Sequence, residues 1–117
     1  MIVVGLVVAG AIGAPLRYLV DAKVSRQPWG TFVINVTGSF VLGLITGAVL
    51  YHAFPNTPKV ILGTGLCGAY TTFSTFTFET VRLVEEGDTW AAARYLLASV
   101  IVGVAAAAAG LAIAAAL

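Results

Sequence analysis

Four stretches of this chain are each long and apolar enough to cross a bilayer, a passage that takes roughly 20 residues of α-helix. They cover about residues 2–20, 30–54, 58–83 and 89–117, the first uncharged until Arg17 and the fourth uncharged after Arg94. The connections 21–29, 55–57 and 84–88 are too short to hold a second domain. Lipid leaves a crossing backbone no water to bond, so the expected fold class is an all-α membrane protein. A single four-span subunit over 1–117 is the domain reading. Composition agrees, because 60% of residues are hydrophobic and only 9% charged, against about 25% charged in an ordinary soluble domain. A net charge of +1 gives no basic footprint for nucleic acid. Cys67 and His52 are each alone, which excludes an intrachain disulfide and a cysteine- or histidine-based metal cluster.

Local punctuation supports these limits. Thr57-Pro58 reads as N-cap and first helical residue. Gly87 can stop the third span, and Asp88 or Thr89 can cap the fourth. The first segment lacks the basic n-region of a signal peptide and is read as a true span. Trp29, Tyr51 and Trp90 fall near the interfaces, where amphipathic rings sit well. Small residues recur every four positions at Ala9–Gly13, Ser39–Gly43–Gly47 and Ala106–Gly110–Ala114, stripes that let membrane helices approach closely. The run Ala105–Ala109 is thin helix surface.

Two motifs mislead. Gly63-Thr64-Gly65-Leu66-Cys67-Gly68 matches the dinucleotide pattern G-x-G-x-x-G, but it lies in an apolar helix with no preceding strand. Asn35-Val36-Thr37 has the form of a glycosylation sequon, yet it sits mid-membrane.

The polar residues of the second and third spans need a reason. Asn35 has Thr31, Thr37 and Ser39 nearby, and Thr71 to Phe78 interleaves five hydroxyls with three phenyl rings. A membrane hydroxyl can bond back to the carbonyl one turn earlier, which strains as an account of five in seven residues. Asn35 has no such local partner, so it either glues helices together or serves an ion. Hydroxyls and an amide NH2 are neutral donors suited to a small anion, and phenyl rings present a positive edge. Phe73 and Phe76, three apart, share a helix face and line one path or belong to the core. Glu79 is followed by Arg82 at i+3, which predicts a local ion pair. The Gly63, Gly65 and Gly68 opening tolerates a broken helix, and a break frees carbonyls for a hard cation.

These segments resemble one family, the bacterial fluoride-specific channels called Fluc or CrcB. The matching runs are Gly13-Ala14-Pro15-Leu16-Arg17-Tyr18, Gly30 to Phe40, and Gly63 to Phe76 with its Thr-Thr-Phe-Ser-Thr-Phe signature. The resemblance covers essentially the whole chain. It implies four helices with the third broken, an antiparallel dual-topology dimer, two fluoride paths and one central sodium ion that is structural and not transported. By position it implies that Gly68 and Thr71 give backbone carbonyls to sodium. Asn35, Phe73 and Phe76 would line the fluoride path, Ser74 and Thr75 would continue it, and Tyr95 and Ser99 would extend it along the fourth span. One turn later this chain has Gly103 where members often carry another hydroxyl. Arg17 would concentrate anions at the vestibule. The implied role is passive fluoride export across the cell membrane.

Two other classes compete. A small multidrug exporter of four spans wants a carboxylate in its first span, and none stands between Met1 and Val20. A non-transporting assembly subunit would use the polar third span as helix glue. Arg17, Lys23, Arg26, Arg82 and Arg94 fall on one face against Lys59 on the other, which predicts a preferred orientation with both termini outside and allows a paralogous partner of opposite topology as well as a second copy of the chain.

Overall fold

The computed structural model describes residues 2–23 and 29–117, so Arg26 of the charge count lies outside the described residues. The described chain is helical almost throughout. Helix α1 covers Ile2–Lys23, α2 Trp29–His52 and α6 Thr89–Ala116. Among the described residues these are the three helices long and apolar enough to cross a membrane unaided. Between α2 and α6 lie α3 (Asn56–Val60), a π-helical stretch (Ile61–Cys67), α4 (Gly68–Tyr70), two extended residues and α5 (Phe73–Glu85). The longest dimension is 48 Å, close to the roughly 40–45 Å of a bilayer with its headgroups. Val7, Ile101 and Val104 each remain more than 60% exposed, a surface made for lipid.

Small residues set the packing. The α1 helix runs parallel to the π-helical stretch, with Ala9 against Gly65 and Gly13 against Leu66. A Cβ on Gly13 would stand 2.5 Å from the Leu66 carbonyl oxygen, and one on Gly65 would stand 2.9 Å from the Ala9 Cβ. Likewise α2 and α6 are parallel, because Trp29 meets Tyr95, Ser39 stands beside Gly103, Gly43 meets Ala107 and Gly47 meets Ala114. A Cβ on Gly43 would collide with the Ala107 carbonyl, and one on Gly47 would come within 2.5 Å of the Ala114 Cβ. At the far ends His52 Nε2 lies 2.6 Å from the Ala114 carbonyl and ties the two helices together.

Asp88 caps α6 by accepting from the Ala91 N–H at 3.1 Å, and Gly87, at φ 83°, closes α5. The start of the third segment differs from the sequence expectation. Ala53 takes a left-handed φ of 54° and Phe54 N–H reaches the Ala48 carbonyl, so α2 closes early. The next helix then begins at Asn56 after an extended Pro55, and Thr57 is not the cap. Pro58 is tolerated there because first-turn N–H groups have no helical acceptor anyway.

The interruption is also displaced. Gly63, Gly65 and Gly68 all stay helical, and the backbone turns extended only at Thr71 (ψ 162°) and Thr72 (φ −151°, ψ 122°). Gly65 serves close approach to α1, whereas β-branched threonines accept extended geometry readily.

Candidate functional site

The extended pair Thr71–Thr72 is held from α2. Asn35 Nδ2 donates to the Thr72 carbonyl at 2.9 Å, and the Thr72 N–H donates to Asn35 Oδ1 at 2.9 Å. One side-chain amide therefore satisfies both backbone groups of Thr72, as a neighbouring strand would. Gly38, one turn along α2, leaves room for Thr71, whose Cγ2 a Cβ there would strike.

This clamp redirects two donors. In an unbroken helix the Thr72 N–H would bond the Gly68 carbonyl four residues back; here it goes to Asn35. The Thr75 N–H would bond the Thr71 carbonyl; here it goes to Thr72 Oγ1 at 3.2 Å. The carbonyls of Gly68 and Thr71 thus lose these helical donors, as last-turn carbonyls do wherever a helix is interrupted. On the other side of the gap, α5 presents its N-terminal N–H groups, where partial positive charge gathers. Two helix ends of opposite polarity meet at one point. A cleft of about 280 Å³ opens there, bordered by Asn35, Ser39, Gly68, Thr71, Thr72 and Phe73.

The aromatic residues form a chain leading inward. Phe73, 78% exposed, lies 6.1 Å from Phe76; Phe76 lies 5.2 Å from Tyr95; Tyr95 meets Trp29 edge to face at 5.9 Å. Tyr95 is buried, and among the described residues neither its hydroxyl nor that of Ser99 one turn later has a hydrogen-bond partner. Buried polar groups of this kind are uncommon in a packed interior. Arg17 borders a second cleft of about 220 Å³ with Thr72 and Thr75, on the α1 side of the same break. The Ser74 side chain lies outside the described ones.

Several hydroxyls take the local option. Thr71, Thr77 and Thr80 donate to the carbonyls of Cys67, Phe73 and Phe76, at 2.9, 3.0 and 2.8 Å. Glu79 does not pair with Arg82. Arg82 reaches instead to exposed Glu86 at 3.5 Å, while Glu79 is buried and accepts from Thr31 Oγ1 at 2.8 Å. Its other oxygen has no partner among the described residues, and the same is true of Asp21 Oδ1 beside Gly30. The overlooked signal is spacing: Glu79 is four residues beyond Thr75 and three beyond Phe76, on the face that meets α2 and α6. Thr31 and Glu79 thus extend the polar constellation beyond the residues nominated from sequence.

Comparison with known proteins identifies the family. The family model described as CrcB-like protein, Camphor Resistance (CrcB), matches residues 4–111. A protein of Streptomyces avermitilis named fluoride-specific ion channel FluC 1 is 53% identical over 111 residues, covering 90% of each chain. One of the same name from Frankia casuarinae is 48% identical over 120 residues and 93% of each chain. A fluoride-specific ion channel FluC from Nitrobacter winogradskyi is 38% identical, over 93% of this chain and 91% of the relative. With the match running from α1 through most of α6, this chain belongs to the CrcB family.

Proposed function

We propose that the chain is a subunit of a fluoride channel of the cell membrane, passively lowering cytoplasmic fluoride. The observation that carries this reading is the Asn35 clamp on Thr72. It holds open a break where neutral donors, aromatic edges and a helix N-terminus converge. An amide nitrogen has two hydrogens, and Thr72 uses one, which leaves the second for an anion. From Arg17, which raises local anion concentration, the path runs past Ser74 and Thr75, then between Asn35 and the edges of Phe73 and Phe76. The hydroxyls of Tyr95 and Ser99 continue it. Neutral donors bind a bare anion without trapping it, as conduction requires.

On this reading the third segment crosses as a broken span, which brings the subunit to four spans. The carbonyls of Gly68 and Thr71 hold a structural sodium ion at the centre of an antiparallel dimer. The donor set fits, since both carbonyls have lost their helical donors and hard cations take neutral oxygen ligands. Two carbonyls per chain are too few for such an ion, so a second copy, or a paralogue of opposite topology, completes the shell. Bound there, such an ion would supply cohesion at the joint and take no part in transport. Exposed Phe73 at the cleft mouth is a surface that such a partner covers.

One observation favours a second reading. Buried Glu79, near Asp21, is an intramembrane carboxylate of the sort that proton-coupled exporters use. Purified protein in liposomes separates the two: a channel releases fluoride and not chloride, at a rate indifferent to an imposed proton gradient. Equal release of both anions, or release that tracks the gradient, refutes the channel.

A further inference from the structure

We infer that the hydroxyl of Ser39 is an ion-contacting group, placed on α2 at the level where α6 presents Gly103, so that the polar path changes helix there. This rests on the channel reading above. On α6 the residues Tyr95, Ser99 and Gly103 follow one another at four-residue spacing; the first two bring hydroxyls without partners among the described residues, and the third brings no side chain. On parallel α2, Thr31, Asn35 and Ser39 keep the same spacing. The two series meet at their third members: a Cβ on Gly103 would lie 3.9 Å from Ser39 Oγ and meet no nearer atom. The Ser39 hydroxyl therefore stands in the space that a residue 103 side chain would enter.

Its chemistry distinguishes it from the other hydroxyls of α2. Thr37 and Thr46 each donate to the carbonyl one turn back, at 2.8 Å, and Thr31 donates to Glu79. Ser39, half-buried, has no hydrogen-bond partner among the described residues and borders the cleft with Asn35, Thr71 and Phe73. A hydroxyl already spent on a helix carbonyl has no proton left to offer an anion; Ser39 keeps its own. Glycine at 103 makes the space, and serine at 39 furnishes the donor.

Fluoride efflux from liposomes containing the full chain tests this with four proteins: wild type, Ser39→Ala, Gly103→Ser and the double variant. Loss of one hydrogen bond to an ion should slow Ser39→Ala about tenfold. The double variant, with the hydroxyl returned from the opposite helix, should recover to within about threefold of wild type, a rescue that a packing role for Ser39 would not produce. Unchanged efflux in Ser39→Ala, or a slow variant that Gly103→Ser leaves slow, overturns the inference. If Ser39→Ala does not elute as a single folded species, Ser39→Gly removes the same hydroxyl with less bulk, and its pairing with Gly103→Ser decides by the same criteria. Failure of the wild type to conduct fluoride refutes the channel reading itself, and is seen before any variant is compared.

Discussion

Helices α2 and α6 run side by side, yet the two halves of their contact are built from opposite chemistry. From Phe40 onward the facing positions are Gly43 and Ala107, Gly47 and Ala114, and Gly110 against the Phe40 carbonyl. Backbones touch, and no space remains for a Cβ. Before Ser39 the same stripes carry Thr31, Asn35, Tyr95 and Ser99, with the Trp29 and Tyr95 rings between the helices and two hydroxyls without partners among the described residues. The glycine half is cohesive because in lipid only close dispersion contact and polar bonds hold helices together. The polar half buries large and hydroxyl-bearing side chains, Tyr95, Ile34 and Thr31, and the glycine half beside it keeps it in register.

The most damaging way to break this comparison is to fill the glycine half. Gly43→Leu drives a side chain into the Ala107 backbone, which cannot retreat, and overpacking of this sort costs about 1–3 kcal/mol or more. Folded, monodisperse protein should be lost in size-exclusion chromatography, where a well-folded variant would show that the helices have slack. Next comes the polar half. Asn35→Ala removes both bonds to Thr72, and a hydrogen bond to an ion is worth about 1.5–3 kcal/mol, or about 10- to 100-fold in rate. Fluoride efflux should fall by that factor while helix content measured by circular dichroism persists; efflux equal to wild type would leave Asn35 as glue alone. The smallest effect sharpens the contrast. Thr46 lies in the glycine half and returns its hydroxyl to the Leu42 carbonyl at 2.8 Å. Thr46→Val should leave efflux within about twofold, since back-bonding contributes little to a helix, and a tenfold loss would mean that polar function extends past Ser39.

Much of the frame was legible in the sequence. The small-residue stripes mark true close contacts at Ala9, Gly13, Gly43, Gly47, Gly110 and Ala114, because burying a backbone against a backbone demands those residue types. Asp88 and Gly87 act where local chemistry requires. The glycines point to an interruption at Gly63–Gly68, whereas the backbone turns extended at Thr71–Thr72. Glycine permits a break and also permits contact, and the Ala9 contact across the bundle decides which. For Glu79 the sequence shows the neighbour Arg82 three residues on but not its actual partner Thr31, 48 residues away. The double bond from Asn35 to Thr72 was hidden for the same reason: a side chain bonding distant backbone leaves no periodicity.

That bond has a consequence for how the protein enters the membrane. An N–H and a C=O of extended backbone cannot be left bare in hydrocarbon, where each unsatisfied group costs several kcal/mol. The segment around Thr72 therefore cannot open in lipid by itself. It must insert as continuous helix, or remain near water, until α2 is alongside to receive it. Synthesis proceeds in the order this needs, since residue 35 leaves the ribosome before residue 72. The joint is then the product of a handover, in which the Thr72 N–H leaves its helical acceptor only when a side chain from the preceding helix is ready to receive it.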